Sequence, residues 1–449
     1  MAVRHLSLFL CGLIAAPVMA QGALERSPRP QARASAEALP VVRAALVVEP
    51  ARVLRPMLRP EGRATPDVVP VQASAQDAGL QRWIAGFRGR ALKQGISAGV
   101  FDAAFRGVRY DPDVIKRDRN QAEFKKEIWD YLDVAVSQER LQKGAAAMRR
   151  HGRTLQQIES HYGVDRHIVA AVWGLESKYG ENRGDLPIIQ SLATLAYDGR
   201  RGAFFEKQLV AALKILQRGD TTPRNMTGSW AGAMGHTQFI PTSYQAYAVD
   251  ATGDGKRDIW SDNPADALAS TAAYLKQHGW VTGMPPLVEV RLPAGFNSGN
   301  ASRKITRMPS DWARMGVTDV RGRPVRDYGS ASILLPAGTR GAAFMIFKNF
   351  RVIERYNAAD AYVIGVSQLG AQLAGGLPIQ ASWPRDPNSL NFEERKELQA
   401  LLTRRGFDTG GVDGAIGANS IAAIQAFQRS AGLPQDGAPT KALLQRLRR

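Results

Sequence analysis

Residues 165–180 constrain the fold more than any other stretch of this chain. Asp165 is a helix N-cap residue, able to accept from the first free backbone amides. Gly180 suits the left-handed position past a helix end. Between them, Val169, Val172, Trp173 and Glu176 recur at i, i+3, i+4 and i+7 and share one side of the helix. An apolar stripe of that kind must be covered by other elements. The spacing predicts more helices elsewhere. Leu80, Trp83, Ile84 and Phe87 open the first, near Gln76. Phe124, Ile128, Trp129, Leu132 and Val136 predict one over 122–141, and others fall over 186–195, 204–216, 266–278 and 358–373. Between about 287 and 350 the period changes. Residues 287–290, 332–335 and 343–347 read as short strands between Gly/Pro turns. The expected class is mainly α with a small β insertion.

The ends of the chain read differently. Arg4 and His5 precede an apolar run over 6–16, and Val18-Met19-Ala20 offers small residues for cleavage, the pattern of a secretory signal peptide over 1–20. That run is too short to span a bilayer. The single cysteine, Cys11, follows Leu10, which is too large for a lipoprotein signal, so lipid anchoring is not expected. The mature chain then has no thiol for a disulfide, a metal or a nucleophile. Residues 21–75 contain no Lys and no aromatic side chain, and prolines from Pro28 to Pro70 interrupt them, so they predict an extended tether. Trp383-Pro384-Arg385-Asp386-Pro387 marks a boundary, followed by a compact three-helix unit. The formal charge of +18 calls for an acidic partner. Nucleic acid is disfavoured by the export signal and by the lack of a nucleic-acid motif with interleaved aromatics.

Glu176 is the candidate acid/base. A carboxylate on an apolar face, beside an indole and in the last turn of a helix, is disfavoured in its ionised form by desolvation and by the helix dipole. A general acid working near neutral pH needs that bias. Read from spacing alone, a Glu at the core edge that reaches solvent or pairs with Lys178 or an Arg is the favoured reading, and the sequence context reverses that preference. Glu181 lies past the helix end and takes no role.

Gly-Leu-Glu176-Ser-Lys-Tyr-Gly, followed by residues 231–244, Ala-Gly-Ala-Met-Gly-His-Thr-Gln-Phe-Ile-Pro-Thr-Ser-Tyr, resembles the lytic murein transglycosylases, specifically the membrane-bound lytic transglycosylase B family. The resemblance runs from about Gln76 to Leu373. It implies a lysozyme-like helical catalytic domain over 76–380. It also implies that Glu176 protonates the glycosidic oxygen between N-acetylmuramic acid and N-acetylglucosamine, then deprotonates the muramic C6 hydroxyl, leaving a 1,6-anhydro end. No cofactor is required. By the same resemblance Ser229, Gln238 and Met234 line the groove, and Tyr356, Asn357, Tyr362, Tyr274, Arg200, Arg201 and Tyr131 contact substrate. Phe204 stands where the family has a further hydrogen-bonding aromatic.

Asp250, Thr252, Asp254, Lys256 (through its carbonyl) and Asp258 occupy the ligand positions of a calcium loop, with Gly255 at the sharp turn. Ser261 stands where the closing Glu belongs, and Asp266 is the substitute the resemblance suggests. A structural Ca2+ site and a metal-free Asp/Gly turn both remain open. The Val412-Asp413-Gly414, Gly417 and Phe427-Gln428 pattern resembles a peptidoglycan-binding domain over 388–447, with plain docking or dimerisation as the alternative. The expected partners are peptidoglycan glycan strands and other cell-wall enzymes, in the periplasm. A hydrolase using the same Glu, and a non-catalytic wall-binding scaffold, are the competing functions.

Overall fold

The computed structural model describes residues 70–119, 127–386, 388–414 and 416–449. The leader, the tether up to residue 69, and Phe124 lie outside the described residues. In chain order the helices are α1 (Pro70–Lys93), α2 (Ala98–Ala104), α3 (Pro112–Arg119), α4 (Ile128–Ala135), α5 (Gln138–Arg150), α6 (Gly152–Tyr162) and α7 (Arg166–Ser177). Then come α8 (Ile188–Asp198), α9 (Gly202–Arg218), α10 (Pro241–Tyr247), α11 (Ala265–Gln277), α12 (Pro309–Arg314), α13 (Lys348–Tyr356) and α14 (Asp360–Leu373). The last three are α15 (Phe392–Arg404), α16 (Ala418–Ser430) and α17 (Lys441–Arg448).

One apolar core runs from Leu80 to Leu369, with α7 at its centre: Val169, Ala170, Ala171 and Val172 are wholly buried. Helix α14 crosses α7 closely because Gly365 has no side chain. A Cβ there would lie 3.1 Å from Tyr131 and 3.3 Å from Leu175. The β insertion forms an antiparallel sheet in the order β2 (Thr318–Asp319), β1 (Leu287–Arg291), β4 (Ala343–Ile346), β3 (Ser332–Leu334). Its far face closes a second core around Trp312, Ile333 and Met345. A third core, Leu398, Leu402, Ile424, Phe427 and Leu444 among others, belongs to α15–α17.

Three expectations change. The helix expected near Gln76 begins at Pro70, inside the span read as tether. Proline is tolerated in the first turn, where its missing N–H has no partner to lose. The helix expected over 122–141 breaks at Val136, because Ser137 caps α5 by accepting from the Arg140 amide. Leu186-Pro187, expected as helix, pairs antiparallel with Thr227-Gly228 instead.

The C-terminal unit is also fastened to the catalytic core. The Arg385 guanidinium donates to both carboxylate oxygens of Asp133, at 2.8 and 2.6 Å. Arg395 reaches Asp130 at 2.7 Å. Both acids lie on α4, the helix that carries Tyr131.

Candidate active site

Asp165 caps α7 as expected, accepting from the His167 amide at 2.7 Å. Nine of its twelve residues are buried. The helix ends in three consecutive left-handed residues, Lys178, Tyr179 and Gly180, at φ +50°, +62° and +92°. The left-handed turn thus begins two residues before the expected glycine. Non-glycine residues in that region cost on the order of 1 kcal/mol each. The surrounding contacts hold them there: the Lys178 amide donates to Gly174 and the Tyr179 amide to Trp173.

Glu176 sits in that last turn, 7% exposed. Tyr362, from the first turn of α14, donates its hydroxyl to Glu176 Oε1 at 2.7 Å. Burial penalises the carboxylate charge, and the O–H that Tyr362 donates favours it. Tyr131 lies within electrostatic reach of the same carboxylate; burial first, and the Glu176 charge after it, push its phenol well above the ordinary range. The buried acids among the described residues are Asp118, Glu176, Asp220 and Asp266. Arg200 and Arg201 pair with Asp118, Arg257 pairs with Asp220, and backbone amides satisfy Asp266. Glu176 accepts from the Tyr362 hydroxyl.

The second motif folds back beside α7. Ser229 and Ala233 close a turn, the Ser229 amide donating to the Ala233 carbonyl and Ser229 Oγ accepting from the Ala233 amide. Gln238 is held at φ +55°. Its side-chain amide donates to the carbonyls of Arg183 and Gly235. Met234 is different from the expectation: its side chain is fully buried, and its backbone bridges to Gly228 and Phe239. It belongs to the core beneath the motif. Tyr356 and Tyr274 are likewise core residues, donating their hydroxyls to the carbonyls of Thr237 and Arg355. Asn357 ends α13, and its side chain accepts from the Ala359 amide. Glu181 forms an ion pair with Lys143 at 2.6 Å.

Sequence reasoning passed over a buried network that joins the two motifs. Trp173 Nε1 donates to His236 Nδ1 at 3.1 Å. Ser177 Oγ donates to the His236 carbonyl at 2.6 Å. Arg183 donates to the carbonyls of Trp260 and Ser261 and to Asp262. The signal was in view, since His236 lies inside the second motif, but periodicity says nothing about where a loop histidine points.

The cation loop is knit by its own amides. Asp266 Oδ1 accepts from Ala251 and Thr252, and Oδ2 from Asp258. Asp250 accepts from Gly253 and Gly255 and from the Thr252 hydroxyl. Asp254 accepts from Lys256, and Asp258 from Trp260 and Ser261. Among the described residues no group of three or more His, Cys, Asp or Glu is gathered as an ion requires.

Residues 79–371 match the family described as transglycosylase SLT domain, and residues 392–447 match a peptidoglycan binding domain. The chain is similar to membrane-bound lytic murein transglycosylase B of Escherichia coli K12, with 34% identity over 251 residues, 54% of this chain and 66% of that protein. It thus spans just under two thirds of that relative's length. Among solved structures it is similar to SltB3 of Pseudomonas aeruginosa, crystallised in complex with NAG-anhNAM-pentapeptide. The identity is 50% and the TM-score 0.67, over 82% of this chain and 99% of that one. It is also similar to the Escherichia coli lytic transglycosylase Slt35, crystallised with calcium, at 30% identity and TM-score 0.56, over 66% and 93% of the two chains. With the first match covering most of its length, the chain belongs to the transglycosylase SLT domain family.

Proposed function

We propose that this chain is a lytic transglycosylase of peptidoglycan, cutting the bond between N-acetylmuramic acid and N-acetylglucosamine with Glu176 as acid and then base. The observation that carries the reading is the buried Glu176 carboxyl held by Tyr362. As the acid, Glu176 gives its proton to the glycosidic oxygen as the bond to the muramic C1 breaks. The resulting carboxylate then takes the C6 hydroxyl proton while that oxygen closes on C1. The nucleophile belongs to the substrate, so neither a second carboxylate nor a water is needed, and proximity supplies much of the acceleration. The SltB3 complex with an anhydro-muramyl ligand supports this product. Ser229 and Gln238, in the motif folded beside α7, are the proposed groove contacts, and Asn357, Arg200, Arg201 and Tyr131 are proposed as further substrate contacts. Tyr362 acts through Glu176.

Residues 1–20 serve as the export signal and 21–69 as the tether, which places the enzyme in the periplasm. Among the described residues no helix is long and apolar enough to cross a membrane. Residues 70–380 form the catalytic domain and 388–447 the wall-binding module. The +18 charge suits the carboxylates of the wall's stem peptides. No step passes through a metal.

The test is mass spectrometry of purified peptidoglycan digested by the mature protein and by Glu176→Gln. The expected result is 1,6-anhydro ends from the wild type and none from the variant, with both still binding the wall. Reducing ends would make the enzyme a hydrolase. No cleavage by folded wild type would leave a scaffold.

A further inference from the structure

We propose that His236 is a positioning residue that must stay neutral for catalysis, and that its protonation closes the acid side of the enzyme's working pH range. The inference rests on the transglycosylase reading of Glu176.

The tautomer follows from the partners. Trp173 Nε1 can only donate, so His236 Nδ1 accepts and carries no proton. The ring proton is therefore on Nε2, which donates to the Ser261 carbonyl at 2.7 Å. The backbone of the same residue is held twice more, its amide on the Ile259 carbonyl and its carbonyl by Ser177 Oγ. Gly180 makes room for the ring: a Cβ there would stand 2.6 Å from His236 Cε1 and Nδ1. His236 thus ties the residues on either side of Glu176 in its helix, Trp173 and Ser177, to the turn that carries Gln238 two positions on.

A second proton would have to go on Nδ1, facing the Trp173 N–H donor to donor in a buried site. Every charge nearby has a defined place. Arg183 Nη1 lies 3.3 Å from Nε2 and disfavours the cation. His151, edge-on to Trp173 at 5.5 Å, acts in the same direction. Asp262 favours the cation but is itself paired with Arg183 and exposed to solvent. Burial dominates and lowers the His236 pKa from the ordinary 6.5 to about 4. The sign is then fixed. The stability that neutral His236 contributes is complete above pH 6.5 and is lost as pH falls toward 4. Glu176, in contrast, begins the reaction protonated, so acidification does not remove its working form. An acid limb in the rate therefore needs another group.

The experiment is the pH profile of kcat/KM for wild type, His236→Gln and His236→Asn on purified glycan strands, alongside NMR of the wild-type imidazole. Gln keeps a donor toward Ser261, Asn keeps an acceptor toward Trp173, and neither titrates. The expected wild-type rate falls about tenfold per pH unit below a single acid limb, as loss of one proton-sensitive form requires. That limb should coincide with the imidazole titration, and it should be absent from whichever variant retains turnover at neutral pH. An unchanged acid limb in an active variant overturns the proposal. So does an imidazole that titrates more than one unit from the wild-type limb, a test that holds even if both variants misfold. Absence of anhydro products from wild type at every pH would instead sink the transglycosylase reading.

Discussion

Gly180→Ala is the sharpest test of how the two motifs lock together. At φ +92° the backbone disfavours any side chain, which costs about 1–2 kcal/mol. The new methyl would also press on the His236 ring at 2.6 Å. That ring cannot swing aside without breaking its bonds to Trp173 and Ser261, and forced overpacking adds about 1–3 kcal/mol. The total expected loss is about 2–5 kcal/mol. Gly219→Ala is the internal control. Its φ is +85° and nothing lies within 4 Å of the added carbon, so only the conformational part, about 1–2 kcal/mol, should appear. Unfolded-state effects of Gly→Ala are common to both variants and cancel in the comparison. Urea denaturation of the two proteins measures the difference directly, at constant m-value. Equal losses would refute the argument, because they would mean that the His236 ring is not fixed against Gly180.

Two further outcomes follow from the same contacts. Asp266→Ala orphans the amides of Ala251, Thr252 and Asp258, and at about 1–3 kcal/mol for an unsatisfied group it should lower the melting temperature measured in chelator. Wild type melts at the same temperature in calcium and in chelator if the loop is a metal-free turn, and a rise of several degrees with calcium would show that the loop takes the ion. Reversing Arg385 and Arg395 to Glu should release the C-terminal unit from Asp133 and Asp130; each partly buried pair contributes about 1 kcal/mol, less at high salt. Small-angle scattering should show a larger radius of gyration, restored when Asp130 and Asp133 are changed to Arg as well, and an unchanged radius would show that the ion pairs do not hold the unit.

The sequence by itself determined what depends on neighbours along the chain. The spacing of Val169, Val172, Trp173 and Glu176 placed a carboxylate on a buried helical face. Alternation and Gly/Pro turns placed the strands near 287–291, 332–334 and 343–346. Leu398, Leu401 and Leu402, then Ile421, Ile424 and Phe427, then Leu443, Leu444 and Leu447 placed the last three helices. A local period encodes which face an element must bury, and that survives any arrangement of the partners. Only the tertiary structure decided which side chains meet. Tyr362 reaches Glu176 across 186 residues, and Trp173 reaches His236 across 63. Tyr274, Tyr356 and Met234 look like groove residues in the chain, but packing puts them in the core. Ser137 ended a helix that apolar spacing would have continued, since a capping bond competes with periodicity only once the next helix has a core to join. The fastening of α4 to the C-terminal unit was illegible for the same reason. Arg385, Arg395, Asp130 and Asp133 are ordinary charged residues in sequence, and only the docked geometry makes them pairs.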